Sequence, residues 1–260
     1  MKRWLMNILL VIFVGVFVVS GVMLGKNIYE GQTAKKEFTE LSDIRAQILA
    51  TMPTDDPEAT VDPDAEPTEP KILPELQTLY EQNPHLAGWL SIPAVGVDYP
   101  VMHAPEEKDY YLYRNFQKEY SSHGCLYIWE EADLQTPSMA LTVFGHHMKN
   151  GSMFANLKKF QHKSFWEKNQ TFTMTSLYER REYRIFSVLV TTANLGEGFG
   201  YYKFTGGTEE EFENMVDNFK MYSLFESGIT PQYGDEIVCL STCDYSRENG
   251  RLVVVAVREK

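Results

Sequence analysis

Three side chains in this 260-residue chain have the types and positions to do covalent chemistry together. Cys243 follows a run of β-branched and apolar residues, Glu236 to Thr242, and Arg251 opens a second run that extends to Val257. A polar loop with Asn249-Gly250 as its tight turn joins the two runs. If the runs pair as strands, a thiol and a guanidinium meet at one end of a sheet. Cys243 is then a candidate nucleophile beside a cation able to stabilise negative charge, and the alternative is a structural, buried thiol. A nucleophile of this kind needs a base. Of six histidines, His85, His103, His123 and His162 sit in polar or turn-like surroundings. Val143-Phe144-Gly145-His146-His147-Met148 is different, because a strand-like run enters a glycine and then two imidazoles. Glycine there permits close backbone approach, and an imidazole near its ordinary pKa of about 6.5 can serve as acid or base. The His-His pair does not read as a metal site. Neighbours on a strand point to opposite faces, and no cysteine or carboxylate completes a tetrahedral set.

These side chains need a sheet to position them. Short strand-like runs cover Ala87 to Ile92, Val95 to Met102, Gly124 to Trp129, Met139 to Phe144, Thr171 to Ser176 and Glu182 to Thr192. With the two C-terminal runs they predict an antiparallel barrel or sandwich. Leu73 to Gln82 reads as a short helix ended by Asn83-Pro84, and Tyr110 to Phe116 and Ser152 to Lys159 each as a helical turn or more. A clear helix starts at Thr208, with Glu209 to Glu211 in its first turn and Phe212, Met215, Val216, Phe219 and Met221 on its apolar face.

The N-terminal third has another character. Trp4 to Leu24 is an almost unbroken apolar run, long enough to span a bilayer as a helix. Lys2 and Arg3 precede it, which places the N-terminus in the cytoplasm and the rest of the chain outside. The alternative is a cleaved signal peptide, whose apolar core is shorter and ends in small residues. Asn27 to about Ala50 is polar and helical, a stalk or a helix packed on the domain. Thr51 to Pro70, rich in Pro, Asp and Glu, reads as a disordered, self-repelling spacer. The expected organisation is an anchor over 1–26, stalk and spacer over 27–71, and a folded domain over 72–260. A net charge of −12 with no Lys/Arg cluster argues against nucleic acid as a partner. Three cysteines build no disulfide framework. Cys239 and Cys243, four residues apart on one strand, lie ~13 Å apart and cannot bridge.

Leu240-Ser241-Thr242-Cys243, followed by Arg251 before an apolar strand, resembles the Leu-x-Thr-Cys signature of sortases. Gly145-His-His-Met-Lys-Asn-Gly-Ser-Met-Phe154 is similar to the histidine segment of class B sortases. The resemblance covers about Ile72 to Lys260. It implies a closed eight-stranded β-barrel, mostly β, with an N-terminal helix and a helix inserted between the sixth and seventh strands. It also implies a membrane-anchored cysteine transpeptidase of Gram-positive bacteria that needs no cofactor or metal. By position, His146 takes the catalytic histidine, Cys243 the nucleophile and Arg251 the arginine, while His147 is a neighbour not expected to be essential. Ser241, Thr242 and Asp244, with Phe144, Thr192, Tyr201 and Tyr202, become candidates for the substrate groove. The implied reaction cleaves an NPxTx-like sorting motif after threonine in secreted proteins. The threonine carbonyl is then joined to an amine of the peptidoglycan precursor, or to a pilin lysine. A secreted cysteine endopeptidase would pass through the same thioacyl intermediate, and a non-catalytic binding module on this fold is a third possibility.

Overall fold

A computed structural model of the chain describes residues 2–52, 71–134, 140–194, 197–198 and 200–260. The helices are α1 (Lys2–Thr51), α2 (Pro74–Gln82), α3 (Lys163–Trp166) and α4 (Glu209–Met221). The strands are β1 (Leu86–Ile92), β2 (Val97–Met102), β3 (Leu126–Ile128), β4 (Ala140–Phe144), β5 (Thr171–Ser176), β6 (Arg180–Thr192), β7 (Ile237–Asp244) and β8 (Gly250–Arg258). They close into a barrel in the order β1-β2-β3-β4-β7-β8-β6-β5. α4 lies between β6 and β7, its N-terminus closed by a capping box in which Thr208 and Glu211 each bond the other's backbone N–H.

The barrel is not wholly antiparallel. β2 pairs with β3, and β4 with β7, in parallel. A parallel neighbour cannot be reached by a hairpin, so each pairing requires a crossover connection. The β2–β3 crossover carries a 3-10 turn at Tyr110–Tyr113, and the β4–β7 crossover carries β5, β6 and α4. The period-two alternation of β7 and β8 sorts their side chains between two cores. Val238, Leu240, Leu252, Val254 and Ala256 point into the barrel with Leu90, Val101 and Leu126. Ile237, Cys239, Val253, Val255 and Val257 face outward beneath Phe212, Val216 and Phe219 of α4. Cys243 and Arg251 share the parity of this outer set.

α1 runs unbroken through the expected boundary between anchor and stalk. Its first half is long and apolar enough to cross a membrane, and none of that stretch is buried against the protein. Its second half settles the choice between stalk and packed helix, because Ala34, Phe38 and Leu41 are buried. Phe38 meets the Tyr99 ring edge-on at 4.9 Å, Glu37 accepts from the Phe116 N–H at 3.0 Å, and Arg45 sits 5.3 Å over the Trp89 ring. The spacer assigned to Thr51–Pro70 falls mostly outside the described residues, and its first residue, Thr51, ends α1.

Candidate active site

β4 ends at Phe144, and the glycine that follows brings the chain tightly against the barrel. A Cβ on Gly145 would lie 2.5 Å from Leu126 Cδ2 and 2.7 Å from Phe154 Cδ2, so no other residue fits without displacement. Gly145 N–H donates to the Ser241 carbonyl at 3.1 Å, which continues the parallel pairing with β7 beyond Phe144↔Ser241. Thr242 Oγ1 donates to the Gly145 carbonyl at 2.7 Å. The β4–β7 ladder ends at Phe144 and Ser241, and His146 and Cys243 each lie two residues beyond that last pair.

The His146 ring is held from its far side. Its Nε2 lies 2.7 Å from the Leu112 carbonyl, and a carbonyl can only accept, so Nε2 carries the proton and Nδ1 keeps the free lone pair. Leu112 sits in the 3-10 turn of the β2–β3 crossover, and the Tyr113 ring lies 5.4 Å from the imidazole. That turn presses on Gly124, where φ is +57° and a Cβ would fall 2.4 Å from the Leu112 carbonyl oxygen. Burial pushes the His146 pKa below its ordinary value, with the Leu112 bond in partial opposition.

Cys243 is the penultimate residue of β7, not the first beyond it, and stands directly opposite Arg251 of β8 in the antiparallel ladder. Residues facing each other in this way have Cβ atoms ~4.5–5.5 Å apart. Cys243 is half-buried, whereas Cys125 and Cys239 are buried and the Cys239 thiol is pushed up to about 12 by desolvation. Of the three thiols, Cys243 alone is exposed enough to meet a substrate. The turn before Arg251 puts Asn249 at φ 49° and lets the guanidinium donate to the Gly250 carbonyl at 2.9 Å.

The seven expected groove residues fall into two layers. Phe144 and Tyr202 are half-buried, their rings 6.2 Å apart, with Trp129 5.6 Å from Tyr202. Thr192 pairs with Gly250, next to Arg251, and its hydroxyl accepts from the Asn194 N–H. Asp244 accepts from Gln161 Nε2 at 3.2 Å and from the Ser246 N–H at 3.0 Å. Partial burial works to raise the Asp244 carboxyl, but these bonds outweigh it and hold it below its ordinary range. Tyr201, Ser241 and Thr242 lie deeper, each buried, with the Tyr201 hydroxyl 2.7 Å from Ser241 Oγ. Ser241 and Thr242 therefore support the wall behind the surface layer.

Contacts between distant segments, which the sequence does not display, also reach the site. His147 Nδ1 lies 2.8 Å from the Cys243 carbonyl and so donates to it. The Tyr245 ring lies 5.1 Å from the His147 ring at a tilt of 49°, and its hydroxyl donates to the His147 carbonyl at 3.3 Å. The Leu112 carbonyl leaves no mark at all in the sequence, because any residue supplies one. Among the described residues no cluster of three or more His, Cys, Asp or Glu side chains could hold a metal ion.

The sortase domain model matches residues 90–259. Sortase B of Listeria monocytogenes is 31% identical over 255 residues, covering 97% of this chain and 96% of the relative. The solved sortase B of Clostridium perfringens aligns with a TM-score of 0.65 at 31% identity, covering 71% of this chain and 99% of that one. A sortase B–substrate complex from Staphylococcus aureus shares the fold with a TM-score of 0.75 at 21% identity, covering 89% and 99% of the two chains.

Proposed function

The chain belongs to the sortase family, class B, whose members are cysteine transpeptidases, and on that premise we propose that His146, Cys243 and Arg251 carry its reaction. The supporting observation is the ladder that pairs Cys243 with Arg251, beside the Gly145 backbone that bonds Ser241 and Thr242 one residue before His146. In the proposed sequence the free Nδ1 lone pair of His146 takes the proton of the Cys243 thiol, and the resulting thiolate attacks the carbonyl carbon of threonine in an NPxTx-like sorting motif near the C-terminus of a secreted protein. The C=O π electrons move to oxygen, and Arg251 meets the developing negative charge. One preorganised donor of this kind is worth roughly 3–4 kcal/mol. The C–N bond then breaks, and His146 gives a proton to the departing amine, leaving a thioester on Cys243. An amine of the peptidoglycan precursor attacks the thioester, His146 takes the surplus proton, and the Cys243 thiolate leaves as a new amide forms.

Phe144 and Tyr202 form the apolar wall against which the motif lies, with Thr192, Asp244 and the backbone of Ser241 and Thr242 along its floor. Tyr201 braces that floor from beneath through Ser241. The Staphylococcus aureus relative has been solved as a substrate complex, which supports a peptide in this groove. Residues 72–260 are the catalytic domain, with the second half of α1 as its brace. The apolar half of α1 is the single-pass anchor, its Lys2-Arg3 end in the cytoplasm and the domain on the extracellular face.

The test uses the full chain with fluorogenic Asn-Pro-x-Thr-x peptides, with and without an amine acceptor. Cleavage that disappears in Cys243→Ala and turns to amide product when amine is added is the expected result. Hydrolysed product alone, even at high amine, would replace transfer with an endopeptidase. A pilin lysine peptide outcompeting peptidoglycan amines would redirect the acceptor assignment.

A further inference from the structure

At the end of the barrel away from Cys243, two imidazoles line one cavity of about 720 Å³. His85 precedes β1 and His103 follows β2, and the His103 N–H donates to the His85 carbonyl at 2.8 Å, so the two residues face each other across the strand ends. The cavity reaches Leu141 and Glu236, at the starts of β4 and β7. It is thus separated from Cys243 by the length of β7, ~23 Å at ~3.3 Å per residue.

Among the described residues, two buried nitrogens here have no partner, His85 Nδ1 and His103 Nε2. Unpaired buried polar atoms are uncommon and each has a physical reason. Backbone groups of Trp129 and Glu130 lie by the His103 ring and partly offset the burial that lowers its pKa. Burial holds both rings below their ordinary pKa, so they stay neutral at neutral pH. Around them stand Glu106, Glu107 and Asp133, with the rings of Tyr80, Tyr110 and Tyr178. Arg114 lies 4.0 Å from Glu107 and 4.3 Å over the Tyr110 ring, which leaves Glu106, Tyr80 and Tyr178 as the groups a ligand would meet. Glu236 and Arg181 also reach the cavity but bond each other at 2.8 Å. Two unpartnered imidazole nitrogens, each able to take the accepting tautomer, together with a carboxylate rim and aromatic faces, complement a group with several N–H donors and a positive charge. An anion would meet the carboxylates, and an apolar ligand would leave the imidazoles unpaired.

We propose that this cavity is a second binding site, separate from the catalytic groove, that takes the primary ammonium of a lysyl side chain on a peptide. Its three N–H donors are matched by His85 Nδ1, His103 Nε2 and a rim carboxylate, while its aliphatic stem lies on the tyrosine rings. The protein's net charge of −12 steers such a cation toward it.

The experiment titrates the full chain in detergent micelles with acetyl-Gly-Lys-Gly-amide, its norleucine analogue and Gly-Gly-Gly-amide, read by calorimetry. Saturable binding of the lysyl peptide, absent for norleucine, is expected. It should weaken about tenfold or more in His103→Phe, which keeps the ring volume, and in Glu106→Gln, an exposed change that leaves the fold alone. Binding should persist after Cys243 is blocked with methyl methanethiosulfonate, which separates this site from acceptor capture at the catalytic end. Four outcomes would each overturn the proposal: no saturable binding, equal binding of norleucine, unchanged binding in both variants, or loss of binding on blocking Cys243. A response to the glycyl peptide alone would overturn the lysyl assignment.

Discussion

His147→Phe isolates one hydrogen bond at the candidate nucleophile. The change keeps an aromatic ring against Tyr245, 5.1 Å away, and deletes the Nδ1–H that reaches the Cys243 carbonyl at 2.8 Å. A neutral hydrogen bond contributes a net ~0.5–1.5 kcal/mol, and because His147 is half-buried, water can re-solvate the carbonyl and hold the loss near the lower bound. If the bond serves to fix Cys243 for attack, the loss falls on the transition state and slows kcat about 2-fold, with KM nearly unchanged. Steady-state cleavage of the fluorogenic peptide measures both constants, and the alkylation rate of Cys243 by iodoacetamide should fall in parallel. His147→Gln, whose amide can donate, should recover part of kcat. An unchanged kcat, or a loss confined to KM, would refute a positioning role. Inactivation as deep as that of Cys243→Ala would refute it from the other side, by making His147 part of the chemistry.

Gly145→Ala should cost ~1–3 kcal/mol through overpacking against Leu126 and Phe154, read as a lower melting temperature together with lost cleavage as His146 is displaced. A variant of unchanged stability and activity would show the approach to be loose. Phe38→Ala should destabilise the fold by ~3 kcal/mol by emptying the contact with Tyr99, measured by urea unfolding. No change would mean that α1 only tethers the domain. Burial depresses the folded-state pKa of His85, His103, His123 and His146 below the unfolded value of about 6.5. Below that value the unfolded chain binds more protons, so stability should fall as pH drops from ~7 toward ~5. Glu37, raised chiefly by burial, opposes this only toward the acid end. A melting temperature that is flat or rises on acidification contradicts that sign.

The strands were legible because local composition and alternation decide them. Thr171–Ser176 agrees residue for residue, and the remaining strands shift only at their ends. The helix after Thr208 was equally clear from its capping signal. The pairing of strands was not, because the composition of β2 or β4 does not state whether its neighbour arrives by hairpin or by crossover. The short helix α3 escaped notice because four residues carry no period. At the site, Gly145-His146 and Cys243 stood out by residue type, and Arg251 by its place at the head of a strand. The Leu112 carbonyl and the His147 bond did not, since both depend on contacts between segments far apart in sequence.

α1 is a 50-residue helix, ~75 Å long, that is already fastened to the barrel by Ala34 and Phe38. On the anchor reading, only ~15 Å of stiff rod separates Leu24 from that fastening. The acidic segment that follows Met52 begins beyond the fastening and returns to α2, which is itself tied to the barrel through Leu73 N–H and the Leu177 carbonyl. Its length cannot set how far the enzyme ranges. If the apolar half of α1 is the anchor, the candidate groove is carried at one height above the bilayer, like a tool on a fixed arm. Selection among membrane-held substrates then becomes partly a matter of altitude, since a motif presented too low or too high never meets Cys243. Inserting residues ahead of Ala34 would change that altitude, whereas lengthening the acidic segment would leave it alone.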